Sequence, residues 1–348
     1  MTGRLARAVA TLTPLLASAI LAACLAPCLA RADGVANFYK GRTVVVYVGY
    51  STGGGYDIYA RTLARHMGRF IPGNPTLVVE NMPGAGSLRL ANWLANAAPR
   101  DGSAFGTIGR GTAFDPVLGE PGAQFKGPDL SWIGSMNREV SICASWHDSG
   151  VTTFADLKTK GLLVGGVSVN DDTVQFAKVL NAVLGTKLKI VAGYPGGNDI
   201  VLAMERGEVK GRCGWSWSSL VTARPTWVKE KKVNILVQLA LSKHPDLPDV
   251  PLITDLANNA SQRQMLRLIF ARQVMGRPFV AAPGIPAERL AALRQAFMQT
   301  LADKDFLADA AKQRLEIAGV SGEEVEKLVT ELYATPAEVA KQAAAALK

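Results

Sequence analysis

Apolar and polar positions along this chain follow two alternating periods. Thr43-Val44-Val45-Val46-Tyr47-Val48 is a β-branched run that reads as a buried strand. Ile58, Leu63, Met67 and Phe70 then lie roughly on one face of a helix, and Ile71-Pro72-Gly73-Asn74-Pro75 stops it. Thr76 to Glu80 predicts a second strand, Leu88 to Ala98 a second helix, and Phe105 to Ile108 a third strand. A βαβαβ order implies a parallel sheet with right-handed crossovers.

Trp132-Ile133-Gly134 and Ser141-Ile142-Cys143-Ala144 are extended runs that could pass between domains. A second alternating series follows. It predicts helices over Phe154–Lys160, Val174–Leu184 and Ile200–Arg206, and strands over Leu162–Val167, Lys189–Gly193, Gly211–Trp215 and Val233–Leu241. A proline-rich connector, Leu247 to Pro251, leads on to a late strand over Pro278–Ala282. Helices over Ala287–Leu301, Phe306–Arg314, Gly322–Ala334 and Pro336–Leu347 close the chain. The expectation is an α/β molecule of two lobes. Residues 33–136 form the first part of lobe I, 137–257 form lobe II, and 258–348 return to lobe I with the C-terminal helices.

The N-terminus reads as an export signal. Arg4 and Arg7 are a short positive region, Ala8 to Ala23 is uncharged, and Ala30-Arg31-Ala32 is an A-x-A cleavage site. Leu21-Ala22-Ala23-Cys24 also fits the box before a lipidated cysteine, so Cys24 is a candidate anchor. Removing residues 1–32 deletes three arginines and no acid, which lowers the formal charge from +9 to +6. That surplus is scattered and not interleaved with aromatics, which argues against nucleic acid. Export permits a disulfide between Cys143 and Cys213. Each sits in a strand-like run, however, where a buried free cysteine is the commoner state.

The chemistry concentrates in the turns after the strands. Tyr50-Ser51-Thr52-Gly53-Gly54-Gly55-Tyr56-Asp57 joins the first strand to the first helix. Three glycines at a helix start form a backbone nest suited to a carboxylate or phosphate. Asp57 either caps its own helix or contacts ligand. Gly84-Ala85-Gly86-Ser87 offers a second set of amides at the next helix. Arg110 is a cation near a strand's C-terminal end. In lobe II, Ser168, Asn170, Asp171 and Thr173 line one turn, and Tyr194, Gly197, Asn198 and Asp199 another, with Trp215 as an aromatic wall.

Gly49-Tyr50-Ser51-Thr52-Gly53 also matches the G-x-S-x-G elbow of serine hydrolases, but it follows the first strand, and the chain has three histidines in all. The dinucleotide fingerprint fails because Ile58 stands where its third glycine belongs. Three scattered histidines and two separated cysteines give no metal-ligand spacing, and no cofactor is implied.

Thr52-Gly53-Gly54-Gly55-Tyr56-Asp57-Ile58-Tyr59-Ala60-Arg61 resembles the P-G-G-x-x-D-x-x-A-R turn of the periplasmic receptors of tripartite tricarboxylate transporters, the TctC or Bug family. Glu80-Asn81-Met82-Pro83-Gly84-Ala85-Gly86 is similar to that family's E-N-x-P-G-A-G. Ala97-Ala98-Pro99-Arg100-Asp101-Gly102-Ser103 and the run Phe279 to Pro286 extend the likeness over nearly the whole chain after the signal. The resemblance implies a two-lobed type II periplasmic-binding-protein fold whose cleft closes on a small organic anion. It implies that the first-turn backbone and ordered waters hold a ligand carboxylate, at Ser51 to Asp57 and Gly84 to Ser87 here. The expected partners are that anion and the membrane components of a tripartite transporter, with the receptor monomeric in the periplasm. A signalling partner is the other candidate. The sequence departs from the family pattern at Thr52, where proline is usual, and at Tyr56, which adds bulk beside the turn.

Overall fold

The computed structural model describes residues 34–347. The expected signal at 1–32 and the candidate anchor Cys24 lie outside them. The first sheet is begun by α1 (34–39), β1 (Thr43–Val48), α2 (Gly55–Met67), β2 (Thr76–Asn81), α3 (Leu88–Asn96), β3 (Ala104–Thr107) and β4 (Ser131–Ser135). The chain then crosses into β5 (Ser141–Trp146), α4 (Phe154–Thr159), β6 (Leu162–Gly166), α5 (Asp172–Leu184), β7 (Leu188–Ala192), α6 (Gly197–Glu205), β8 (Gly211–Ser216), α7 (Trp217–Ala223), β9 (Val233–Leu239) and α8 (Ala260–Phe270). It returns through β10 (Pro278–Ala281), α9 (Ala287–Ala302), α10 (Lys304–Lys312), β11 (Val320–Ser321), α11 (Gly322–Tyr333) and α12 (Ala337–Leu347).

The strands form a six-stranded sheet, β11-β4-β10-β3-β1-β2, and a five-stranded sheet, β7-β6-β8-β5-β9. β1 pairs in parallel with both β2 and β3, as the βαβαβ reading expects. Neither sheet is mainly parallel, and this corrects the expectation. β10 runs antiparallel to β3 and β4, and β5 runs antiparallel to β8 and β9. The reason is connectivity. Strands that enter from the other lobe lack the local helical crossover that forces a parallel neighbour.

Burial follows the strand period. Val44, Val46 and Val48 of β1 are fully buried. In β5 the alternation separates two cores. Ile142 and Ala144 join a cluster that runs through the first lobe and across the cleft side of the second sheet. Cys143 faces a second cluster behind that sheet, built with Phe176 and Leu180 of α5, Ile269 and Phe270 of α8, and Ala343 and Leu347 of α12. Thus α8 and α12, from the stretch expected to return to lobe I, pack behind the lobe II sheet. α8 went unread because Ser261 to Arg267 is nearly all polar, and only Leu266, Ile269 and Phe270 of it are buried.

Cys143 and Cys213 form a disulfide between the adjacent strands β5 and β8, which corrects the preference for free thiols. Both point to the same face of neighbouring strands, where the ladder shifts register between Ile142 and Ala144.

Candidate functional site

The lobes meet where β1, β3, β6, β7 and β8 end. Turns after the C-terminal ends of strands are where open α/β sheets hold ligands. Two backbone segments join the lobes side by side near the site. Gly276 N donates to Asn137 O (2.9 Å), and Glu139 N donates to Gln273 O (2.8 Å). Between them Arg277 and Glu139 form a fully buried ion pair at 3.2 Å.

Direct bonds tie lobe I to lobe II around the cleft, that from Arg110 Nη2 to Ser216 Oγ (3.1 Å) among them. The Tyr50 hydroxyl donates to Asp171 Oδ2 (2.8 Å), Ser51 Oγ to Asp199 Oδ2 (2.6 Å), and Arg110 Nε to Asp172 Oδ2 (2.6 Å). Inside this ring lies a cavity of about 40 Å³. Its walls mix polar side chains with apolar surface from Tyr50, Tyr56, Val167 and several glycines. Tyr50 and Tyr56 stack at 4.6 Å to form one side.

Buried charge dominates the site. Asp172, at the first position of α5, serves two guanidinium groups, Arg110 at 2.6 Å and Arg272 at 3.2 Å. Asp171 caps the same helix through the Thr173 amide (2.9 Å). Burial pushes the Asp171 pKa up, and the neighbouring Asp172 adds to that. Burial likewise raises the Tyr50 hydroxyl well above its ordinary range, with Asp171 contributing.

Arg212, the second residue of β8, differs from the other arginines here. It forms no ion pair among the described residues. Nη1 donates to Gly197 O at 3.0 Å, and Nε is buried without any partner. Its guanidinium lies 5.1 Å from the Trp215 ring and lines the cavity. Burial pulls its pKa down to about 10 against the attraction of Asp171, and Arg277 and Arg110 add repulsion. On the opposite wall Arg110 Nη1 is also buried and unpartnered. Two guanidinium groups from two lobes therefore line one cavity, and each keeps a buried N–H without a partner.

Two helix N-termini converge on the same space. α2 starts at Gly55, and its first internal bond is Ile58 N to Gly54 O (3.0 Å). The earlier amides of Gly54, Gly55 and Tyr56 have no acceptor within the helix. A methyl placed on Gly54 would lie 4.0 Å from the amide nitrogens of Gly197 and Asn198, at the start of α6.

The nest reading needs adjustment. Only Gly53 of the three glycines is left-handed (φ +83°); Gly54 is extended at φ −82°. The Gly53 amide is already taken by Asp57 Oδ2 at 2.9 Å. Asp57 also binds Arg61 and Asn81, so it braces the turn before its helix and does not line the cavity. The anion-directed part is the helix start, not a concave nest.

Of the residues singled out in the sequence, Tyr50, Gly54, Gly55, Tyr56, Gly86, Arg110, Asn170, Asp171, Thr173 and Gly197 line the cavity. Ser51 and Asp199 form its rim bond, and Asn198 sits beside Gly53. Thr52 is exposed, with its hydroxyl on Asn81. Gly84, Ala85 and Ser87 do not line the cavity, and in the second turn the Gly86 carbonyl accepts from Thr112 Oγ1 (3.2 Å). Ser168 packs on Gly86 and Tyr194 on Gly165. Trp215 is a core residue, 1% exposed. The sequence reading passed over Arg212, Asp172, Arg272 and Arg277. For Arg212 there was a signal: a charge inside a strand run that otherwise reads as buried.

Ser51 has no histidine. His66 is bound to Asp309 (2.9 Å), His244 to Glu316 (3.0 Å), and His147 packs against Trp146. The Ser51 hydroxyl donates to Asp199 Oδ2 at 2.6 Å, so the Ser-His pairing of the usual hydrolase elbow is not formed among the described residues. Among the described residues no group of three or more His, Cys, Asp or Glu is placed to hold a metal, and no helix is long and apolar enough to cross a membrane.

No family model matches the chain, and no curated protein sequence does. Solved structures match it well. The periplasmic binding protein BugD superposes with a TM-score of 0.71 at 20% identity, over 88% of this chain and 98% of that one. MatC from Rhodopseudomonas palustris, with bound malate, gives 0.68 at 20% identity, over 86% and 99%. A second R. palustris protein, with adipate, gives 0.67 at 18% identity, over 87% and 97%. In architecture this chain is similar to all three: it has the two-lobed fold of periplasmic solute-binding proteins.

Proposed function

We propose that the chain is an exported, non-catalytic receptor. It captures a small organic anion between its lobes in the periplasm and delivers it, as a monomer, to the membrane components of a tripartite tricarboxylate-type transporter. The observation that carries this reading is Arg212, a buried cation that lines the interlobe cavity with no carboxylate paired to it among the described residues. An unpaired buried charge is costly, and a ligand carboxylate at Arg212 would remove that cost while making a charge-assisted bond. The amides at the start of α2 supply further donors from lobe I.

Closure follows from contacts on both walls. A ligand touching lobe I at the α2 start and lobe II at Arg212 binds the closed form better than the open one, and so shifts the equilibrium to closed. The malate and adipate held by two structural neighbours are in keeping with a carboxylate ligand, as are the two family motifs in the sequence. A thermal-shift screen of the purified, ligand-free protein tests the reading. A ligand at 100 times its dissociation constant adds about 2.7 kcal/mol. Carboxylic acids should raise the melting midpoint, and amines and neutral sugars should not. A screen in which no acid shifts the midpoint, or only a cation does, overturns it.

A further inference from the structure

We propose that Arg277 is a positioning residue of the anion site: one buried guanidinium between the lobes sets the start of α2 against a corner of lobe II serines, and so holds both walls of the cavity in binding geometry. The inference rests on the anion-receptor reading and adds a residue that does not line the cavity. Arg277 stands in the second joining segment, just before β10, and is 1% exposed. Its guanidinium lies over two rings of lobe I, Tyr56 at 4.8 Å and Tyr59 at 4.9 Å, which stand three positions apart on one face of α2. Its N–H groups go to the other lobe. Nη1 donates to Ser216 Oγ (3.2 Å), and Nη2 to Ser218 Oγ (3.0 Å) and Ser219 Oγ (2.8 Å). The Glu139 carboxylate of the first joining segment balances its charge at 3.2 Å.

Tyr56, Ser216 and Ser219 line the cavity, so each wall has a residue held by Arg277. Tyr56 also belongs to the first turn of α2, whose amides are the donors of lobe I. The third glycine of the first turn fits the same contact. A methyl on Gly55 would run into Ser219 Oγ and lie 3.1 Å from Arg277 Nη2, so the missing side chain leaves room for this close approach. Lysine could pair with Glu139, but it has no planar fork to stack on two rings and bind three hydroxyls. The shape of the guanidinium, more than its charge, positions the walls.

Calorimetric titration with succinate, adipate and benzoate, using whichever binds wild type, tests the role. Arg277→Lys should stay folded by circular dichroism and bind that acid at least about tenfold more weakly, because it loses the stack and the fork together. A second pair of variants acts from outside the cavity, which Tyr59 does not line. Tyr59→Leu removes one ring beneath the guanidinium and should weaken binding at least about threefold, the scale of a cation–π contact. Tyr59→Phe keeps the ring and loses the hydroxyl's bonds with the Glu316 backbone, so it should bind as wild type does. Should Arg277→Lys fail to fold, the Tyr59 pair decides. Wild-type affinity in folded Arg277→Lys, or equal affinity in Tyr59→Leu and Tyr59→Phe, overturns the positioning role and leaves the receptor reading standing. If none of the three acids binds wild type, the receptor reading falls and the role falls with it.

Discussion

Arg110 of lobe I and Asp172 of lobe II meet at 2.6 Å, and both are buried. Asp172 also faces Arg272 at 3.2 Å, so one carboxylate answers two guanidinium groups. The Asp172→Asn variant would strand both. Removing one member of a buried pair costs about 3–5 kcal/mol. The variant should therefore melt far below the wild type by circular dichroism, if it folds at all. A melting point within a few degrees of wild type would show that these charges are not mutually dependent.

Gly54→Val addresses the approach of the two helix starts. The backbone at Gly54 is extended (φ −82°), so valine fits the local conformation. Its branching methyls would occupy the gap to the Gly197 and Asn198 amides, 4.0 Å from a Cβ there. The expected outcome is a folded protein with normal secondary structure and at least tenfold weaker acid binding. Unchanged affinity would mean that closure does not bring α2 and α6 together.

The bridge between Cys143 and Cys213 closes a loop with a sequence separation of 70. On the chain-entropy model a loop of that size contributes about 4 kcal/mol. The Cys143→Ala/Cys213→Ala double variant should lose most of that in urea unfolding. A loss below about 1 kcal/mol would mean that the unfolded state is not constrained as the model requires.

His244, in the loop after β9, bonds Glu316 of the first lobe at 3.0 Å and lies 3.8 Å from Asp246. Its hydrogen bond with Glu316 raises its pKa above the ordinary 6.5, with smaller help from the Glu316, Asp246 and Glu139 charges. A raised folded value means the contribution is fully present below pH 6.5 and is lost as pH climbs through the folded pKa. The wild type should thus lose more stability than His244→Gln between pH 6 and pH 9. Parallel pH profiles for the two proteins would rule out the pair as a stabilising contact.

Much of this was legible in the chain. The β1 valines, the glycine turn and the helix that follows are local patterns, and α2 begins where the glycines say it should. The cross-lobe partners were not legible. Ser51 and Asp199 are 148 positions apart, and Tyr50 and Asp171 are 121 apart. Only the fold brings them together. Asp57 was ambiguous because a capping aspartate and a ligand-binding one share the same first-turn position. α8 stayed hidden because five of the seven residues from Ser261 to Arg267 are polar, so the stretch reads as a surface loop. Arg212 was visible as an anomaly, a cation amid buried strand residues. Its lack of a carboxylate partner among the described residues is a fact of three dimensions.

The central claim is that a ligand carboxylate is the missing partner of Arg212. The direct measurement is calorimetric titration of the best-binding acid into wild type and Arg212→Gln, with melting curves of both proteins alone. Loss of a charge-assisted bond predicts at least about tenfold weaker binding in the variant. The ligand-free variant should melt at or above the wild-type temperature, because an uncompensated buried charge is gone. A folded Arg212→Gln protein that binds the acid as tightly as wild type would contradict the account.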